Sequence, residues 1–286
     1  AVRDALERHG APVYVRRPIV HNLEVVRTLE AEGAVFVEEL DEVPPGSVVL
    51  FSAHGVSPAI AEDATARGLI SYDAVCPLVS KVHREVERHQ RAGRAVILIG
   101  HRGHPEIEGT LGHVRQGWAF VVRSAEDVRS LPLASDTPAA YAVQTTYSVE
   151  EAQAIVEALR ARFCDLVEPP SADICYATTN RQTAVRAVAK RANHVLIVGE
   201  HFSSNACRLV EVARSHCPGA QLVAAADEIN WNALPRQGIV GIGAAASTPE
   251  SSVEAVISAL GRRYELTIEE MRSTRESAVF KPMELA

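Results

Sequence analysis

Two cysteines in similar sequence surroundings are candidates for binding a metal together. Cys76 is followed by Pro77, and Cys175 is followed by a stretch rich in hydroxyl side chains. Each cysteine is therefore predicted to stand between a short strand and the start of a helix. A single cysteine of this kind is more often a buried structural residue. Two of them in equivalent positions favour a role as ligands.

The kind of metal site follows from the spacing of the cysteines. Neither cysteine belongs to a C-x-x-C pair, so thiolates brought together from separate parts of the chain fit an iron–sulfur cluster better than structural zinc. Cys164, Cys207 and Cys217 lack an equivalent turn and are interpreted as structural residues. Five scattered cysteines without an export signal also argue against a disulfide framework.

A candidate proton donor lies in the segment His101-Arg-Gly-His104-Pro-Glu106. A carboxyl group such as that of Glu106, shielded from water, would have a raised pKa and could deliver protons near neutral pH. Two alternatives stay open. Glu106 could simply favour the dipole of a helix start, or His101, His104 and Glu106 could bind zinc in a hydrolase. Pro105 keeps His104 and Glu106 off a shared mid-helix face, which disfavours zinc.

Polar turns after the predicted strands indicate an anion site. His21 and His54 each stand at such a turn. In parallel α/β sheets, ligands bind beyond the carboxyl ends of the strands, where helix N-termini offer free amides. The further polar turns are Gly100 to Glu106, Gln144 to Thr146, Gly199 to Asn205 and Gly243 to Pro249. Together these turns predict a pocket that suits phosphate.

Short apolar runs alternate with longer amphipathic stretches, which predicts α/β units with mainly parallel sheets. The predicted strands are Val13 to Val20, Ala34 to Leu40, Ser47 to Phe51, Ala95 to Ile99, Ala119 to Val122, Ala140 to Val143, Val195 to Val198, Gln221 to Ala225 and Ile239 to Ile242. The predicted helices include Glu24 to Gly33, Pro58 to Gly68, Leu78 to Gly93, Val149 to Phe163, Asn180 to Ala192, Asn205 to Ser215 and Pro249 to Gly261. The repeated order suggests three similar lobes.

The net charge and the hydropathy of the chain argue against several classes of function. The formal net charge of −7 over 286 residues gives no field that would gather nucleic acid or an anionic membrane, so a phosphate site has to be built from local groups. No apolar run reaches the roughly 18 residues of a membrane span, and the first residues show no signal pattern. We therefore expect a cytoplasmic protein with no nucleic-acid or membrane partner.

Taken in order, the motifs resemble those of the LytB/IspH family of reductases, and the resemblance covers essentially the whole chain. The motifs are Ile19-Val-His-Asn22, Phe51-Ser-Ala-His-Gly-Val-Ser57, Asp73-Ala-Val-Cys-Pro-Leu-Val79, Gly103-His-Pro-Glu-Ile-Glu-Gly-Thr110, Gln144-Thr-Thr146, Asp173-Ile-Cys-Tyr-Ala-Thr-Thr-Asn-Arg-Gln182, Ser203-Ser-Asn205, Ala246-Ser-Thr-Pro249 and Val279-Phe-Lys-Pro-Met-Glu-Leu285.

The resemblance implies a trefoil of three α/β lobes around a central [4Fe–4S] cluster. It implies reduction of (E)-4-hydroxy-3-methylbut-2-enyl diphosphate to isopentenyl and dimethylallyl diphosphates with loss of water, in the methylerythritol phosphate route of isoprenoid biosynthesis. A ferredoxin or flavodoxin would supply the electrons. Cys76 and Cys175 match two cluster ligands, and Glu106 with Thr145 matches the proton relay. The implied substrate-binding residues are His21, His54, His104, Thr145, Ser203, Ser204, Asn205 and Ser247.

The internal repeat gives expected domain bounds, and the family pattern gives an expected missing part. The lobes are expected at residues 1–75, 76–171 and 172–262, with a tail at 263–286 returning to the first lobe. The third cluster cysteine and the first strand are expected upstream of Ala1, so that residues 1–286 alone would bind iron poorly and be inactive. Departures from the usual pattern at Val75, Ala206, Cys207 and Gly243 leave the geometry of the phosphate loop open.

Two rival functions stay possible at this point. One is a paralogue without a cluster that binds a diphosphate ligand and catalyses nothing. The other is a different three-lobed cluster enzyme, as in the quinolinate synthases, although the Ser203-Ser-Asn205 turn favours a diphosphate substrate.

Overall fold

The computed structural model describes residues 1–271 of the 286-residue chain. The expected tail and its closing Val279-Phe-Lys-Pro-Met-Glu-Leu285 motif lie, from residue 272 onward, outside the described residues. The described part holds three parallel sheets with helices packed against them. The predicted α/β class, with mainly parallel sheets in three similar parts, is confirmed.

The first sheet has four parallel strands in the order β2-β1-β3-β4. The strands are β1 (Val13–Arg16), β2 (Ala34–Val37), β3 (Val48–Phe51) and β4 (Ile70–Asp73), with helices α1 (Val2–His9), α2 (Leu23–Ala31) and α3 (Pro58–Ala66) between them. Every residue of β3 is buried, because β3 lies inside the sheet and helix α3 covers one of its faces. The turn that follows β3 carries His54.

The second sheet has the order β6-β5-β7-β8 and is also parallel. Its strands are β5 (Ala95–Ile99), β6 (Ala119–Val122), β7 (Ala139–Val143) and β8 (Leu166–Val167); its helices are α4 (Pro77–Arg91), α5 (Pro105–Leu111), α6 (Ala125–Arg129) and α7 (Val149–Arg162). Val96 and Leu98 pack with α4 and α5, whereas Ile97 and Ile99 pack with α6 and α7. This alternation buries both faces of the central strand.

The third sheet has the order β10-β9-β11. Its strands are β9 (His194–Val198), β10 (Gln221–Val223) and β11 (Val240–Ala244), with helices α8 (Tyr176–Ala189), α9 (Ser204–Arg214) and α10 (Glu250–Gly261). Val195 and Ile197 face α8 and α9, and Leu196 and Val198 face α10. The same two-faced burial therefore recurs here.

By compactness the described chain divides into two units. One comprises residues 1–20 and 26–175 and contains the first two sheets; the other comprises residues 21–25 and 176–271 and contains the third. The proposed lobe bounds at 1–75, 76–171, 172–262 and 263–286 stay a prediction. None of the helices within residues 1–271 has the length and apolar character needed to cross a bilayer.

One structural expectation was wrong. Cys175 was predicted to follow a short strand, but residues 171–175 form no strand, and helix α8 begins at Tyr176. Asp173 and Cys175 instead bind the backbone beyond the end of β7. The carboxylate of Asp173 accepts the hydrogen bond from the Val143 N–H, which the carbonyl group of a neighbouring strand would otherwise accept. Residues 171–175 can therefore bind the end of β7 without forming a strand.

Candidate active site

Glu106 and Thr145 form a buried acid–hydroxyl pair in the first unit. His104 is the N-cap of α5, Pro105 takes the first helical position, and the peptide N–H of Glu106 donates to His104 Nδ1 over 3.2 Å. Glu106 Oε1 accepts from the Thr145 peptide N–H, and Oε2 contacts Thr145 Oγ1, each at 2.7 Å. Both carboxyl oxygens are thereby used, which disfavours the zinc-hydrolase alternative.

The environment of Glu106 suits a proton donor. Its side chain is buried, and this burial raises its pKa from 4.5 to about 7. The two hydrogen bonds from Thr145 act in the opposite direction, and the nearby charge of Asp173 raises the pKa further. Near neutral pH the carboxyl group is therefore close to half protonated. The hydroxyl of Thr145 can donate to the ionised form or accept from the protonated one.

Thr145 also positions Cys175. The peptide N–H of Cys175 donates to the carbonyl of Thr145 over 2.9 Å, and the Val143 N–H donates to Asp173 Oδ2 over 2.9 Å. These two bonds hold the segment before α8 along the carboxyl end of β7. Cys175 is half-buried and forms no disulfide.

Cys76 occupies the N-cap of α4 and is also half-buried and free of disulfides. Its peptide N–H donates to the carbonyl of Ala53 over 3.0 Å, within the turn that carries His54. The imidazole of His54 lies edge-on to that of His104, with 5.6 Å between the ring centroids. The structure thus brings His54 and His104 together and joins the Cys76 segment to the same turn.

Lys81 ties the two cysteine segments to each other. From the second turn of α4 its ammonium group donates to Asp173 Oδ1 over 3.0 Å and to the Ser171 carbonyl over 2.9 Å. The Asp173 side chain is fully buried. The sequence motifs assigned no role to Lys81 or Asp173. Each lies only a few residues from a candidate cysteine ligand, and this proximity is the signal that could have identified them.

The candidate residues of the second unit lie at the carboxyl end of the third sheet. Ser203 caps α9 by accepting from the Ala206 N–H, and Ser204 begins the helix. Strands β9 and β11 are parallel neighbours in the sheet. The turn after β11, which carries Ser247, therefore lies beside the turn after β9, which carries Ser203 and Ser204. Ser247 Oγ donates to the carbonyl of His21 over 3.0 Å, and burial lowers the pKa of the His21 imidazole.

Asn205 stands out among these residues. Its side chain is buried, and neither atom of its amide has a hydrogen-bond partner among residues 1–271. A buried amide without a partner is costly, and most such groups in proteins are satisfied. The unsatisfied amide therefore points to a polar ligand at this turn.

The departures from the family pattern have local structural consequences. Ala206 is fully buried in α9, and Cys207 Sγ donates to the His201 carbonyl. Burial, together with the charge of Glu211, raises the pKa of the Cys207 thiol, which favours the structural interpretation of this cysteine. A side chain at Gly243 would meet Val185 at 2.9 Å. Cys217 is a core residue and Cys164 is exposed after α7.

A search for similar proteins gives the family. The family model described as "LytB protein" matches residues 1–261. The chain belongs to the LytB family. The resemblance inferred from the motifs is therefore confirmed.

Curated relatives of the LytB family cover almost all of this chain. The 4-hydroxy-3-methylbut-2-enyl diphosphate reductase of Methylocella silvestris is 49% identical over 99% of this chain and 89% of that protein. The protein of the same name in Ruegeria pomeroyi is 50% identical over 98% of this chain and 89% of that protein.

Solved structures agree with the sequence relatives. The E-1-hydroxy-2-methyl-but-2-enyl-4-diphosphate reductase of Plasmodium falciparum matches with a TM-score of 0.87 and 36% identity, over 91% of this chain and 81% of that chain. A structure of (E)-4-hydroxy-3-methyl-but-2-enyl diphosphate reductase matches with a TM-score of 0.64 and 30% identity, over 91% of this chain and 92% of that chain.

Replacing Lys81 by Met should lower the free energy of unfolding by about 3 kcal/mol, because the fully buried Asp173 loses its cation. Urea unfolding of the metal-free protein measures this loss. The matched control is Arg160→Met, which breaks an exposed pair with Glu168 and should cost less than about 1 kcal/mol. Equal losses in the two variants would mean that the Lys81 pair does not hold the segment.

Glu106 should make stability depend on pH. Its folded pKa of about 7 lies above its ordinary value of 4.5, so its contribution is complete below pH 4.5 and falls as the pH rises through 7. Between pH 5 and pH 8 the protein should lose about 2 kcal/mol more than the Glu106→Gln variant. Unfolding curves at several pH values measure the difference. The exposed neighbour provides the control, since Glu108→Gln should retain the loss.

Proposed function

We propose that this protein is an oxidoreductase that reduces (E)-4-hydroxy-3-methylbut-2-enyl diphosphate to isopentenyl and dimethylallyl diphosphates, with loss of water. The observation that carries the proposal is the Glu106–Thr145 pair, in which an acid with a pKa of about 7 is joined to Cys175 through the main chain of a single residue, Thr145. The name shared by the curated relatives supplies the substrate. The reaction would belong to the methylerythritol phosphate route.

Cys76 and Cys175 have the properties of ligands to a [4Fe–4S] cluster. Neither forms a disulfide within residues 1–271, both are half-buried, and each lies at the start of a long helix, α4 for Cys76 and α8 for Cys175. When bound, such a cluster supplies electrons and a Lewis-acidic iron. A ferredoxin or flavodoxin is proposed as the electron donor.

The chain's own residues would move the protons. The overall change replaces the substrate hydroxyl by hydrogen, using two electrons and two protons and releasing one water. Glu106 is the source of a proton, and the Thr145 hydroxyl bonded to it passes that proton toward the leaving oxygen. Because the pair is buried, other proton donors are kept away from the reacting carbon.

The diphosphate would be bound by local imidazole, hydroxyl and amide groups, since the net charge of −7 gives no field that attracts anions. The candidates are His21, His54, His104, Ser203, Ser204, Asn205 and Ser247. The unsatisfied amide of Asn205 gives the most direct support for this assignment. No observation favours the paralogue without a cluster.

Replacing Glu106 by Gln should reduce kcat about 100-fold or more while leaving substrate affinity nearly unchanged, because a positioned proton donor is lost without a change of shape. Steady-state kinetics of the anaerobic, iron-loaded enzyme measure this. Glu108→Gln, in the same short helix but exposed, should keep normal turnover. A normal kcat in the Glu106 variant would remove Glu106 from the mechanism.

Replacing Asn205 or His54 by Ala should weaken the binding of inorganic diphosphate about tenfold or more, since each side chain is assigned to the anion. Calorimetry on the metal-free protein gives the affinity. The exposed residues Asn232 and His216 provide matched Ala controls, which should bind diphosphate as the unmodified chain does. Unchanged affinity in both test variants would show that the diphosphate binds elsewhere.

A further inference from the structure

The turn from Ser52 to Ser57, which carries His54, is shaped by its own backbone. The Gly55 N–H donates to the Ser52 carbonyl over 3.1 Å, and Gly55 has a φ of +76°, which favours glycine. Ser52 Oγ lies 3.2 Å from His54 Nδ1. The conformation of this turn therefore decides where the imidazole of His54 points.

Helix α5 packs directly against this turn because Gly109 within the helix and Gly112 at its C-cap leave room. A Cβ at Gly109 would lie 3.0 Å from the Gly55 carbonyl oxygen, and a Cβ at Gly112 would lie 2.1 Å from Ser57 Cβ. Since His104 caps α5 and Glu106 lies in its first turn, the helix that carries the acid also packs against the His54 turn.

His113, just after α5, links the turn to α4. Its Nε2 lies 3.1 Å from the Val56 carbonyl, and its Nδ1 lies 2.8 Å from Glu87 Oε1 on α4. A carbonyl only accepts, so Nε2 carries a hydrogen, and a second hydrogen lies between Nδ1 and Glu87 Oε1. His113 thus forms a bridge from the Glu87 carboxyl group to the peptide two residues after His54.

His83 packs against both His113 and the turn. Its ring stacks on that of His113, with 4.1 Å between centroids, and it lies so close under the turn that a Cβ at Gly55 would be 2.5 Å from its Cε1. Burial, and next the charge of His113, lower the pKa of His83 to about 4. His83 is therefore neutral near pH 7, and its ring packs on His113 as an uncharged aromatic surface.

We propose that His113, oriented by Glu87 and stacked on His83, is a positioning residue that holds His54 ready to bind the diphosphate anion. This rests on the proposed role of His54. The physical reason is preorganisation: a turn that is fixed before binding loses less conformational freedom when the anion arrives. His113 is only slightly exposed and has no place in the proton relay.

Two substitutions of His113 distinguish the effect of its hydrogen bonds from the effect of its ring volume. In His113→Gln the amide nitrogen can still reach the Val56 carbonyl, whereas in His113→Leu neither contact survives. The Leu variant should bind inorganic diphosphate about three- to tenfold more weakly, and the Gln variant should stay within about twofold of the unmodified chain. The exposed control His216→Leu should change nothing.

A double-mutant cycle with His54→Ala provides the decisive test. If His113 acts through His54, His113→Leu should cause no further loss of diphosphate affinity once His54 is Ala. A full additional loss in that background, or a Gln variant as weak as the Leu variant, overturns the positioning role while leaving the proposed function intact. If His54→Ala alone leaves affinity unchanged, the assignment of His54 fails and the inference fails with it.

A second variant serves if His113→Leu does not fold. Glu87→Gln keeps the volume of the side chain but removes the carboxylate that orients His113. It should weaken diphosphate binding about threefold in the unmodified background and not at all beside His54→Ala. Unchanged affinity in the first background, or equal losses in both, would overturn the proposal.

Discussion

The main chain of Thr145 is bound on both sides. Its N–H donates to the Glu106 carboxyl, and its carbonyl accepts from the N–H of Cys175. Because Thr145 lies just beyond the fully buried strand β7, which holds its backbone in place, neither partner can move far without the other. The placement of the acid relative to one candidate thiolate ligand is therefore a property of the sheet rather than of a loose loop.

Two buried carboxyl groups in the same unit have different partners. Burial raises the pKa of Asp173, whereas its hydrogen bonds with the Val143 N–H and the ammonium group of Lys81 act in the opposite direction. Glu106 has only the N–H and hydroxyl of Thr145, and the charge of Asp173 raises its pKa further. One carboxylate thus serves as a structural anchor, whereas the other is left near its point of half-protonation.

Much of the fold could be predicted because the interior strands are continuous apolar runs. Strand β5 has the predicted bounds, since burial on both faces leaves no polar residue within it, and the edge strand β6, which is also wholly apolar, matches its prediction as well. Strand β4 was expected only as a short strand before Cys76, without bounds, because it is an edge strand with three exposed residues. Strand β8 was missed because it has two residues. The helix starts at Cys76 and near Cys175 were found from Pro77 and the hydroxyl run.

The site was predictable by residue type but not by contact. Motif order pointed to Glu106 and Thr145, yet nothing in the spacing shows that Thr145 binds both carboxyl oxygens. The Lys81–Asp173 pair joins residues 92 positions apart, and the Glu87–His113 pair joins residues 26 positions apart. Such contacts depend on how helices pack on a sheet, which local patterns do not specify.

The buried, unsatisfied amide of Asn205 lowers the thermal stability of the free protein. An unsatisfied amide of this kind costs about 1–3 kcal/mol in the free protein. An apolar residue of similar size would remove that cost, so a lineage selected only for thermal endurance would drift toward losing the amide. Its retention would mark a lineage in which ligand capture still matters, an example of the trade-off between stability and activity.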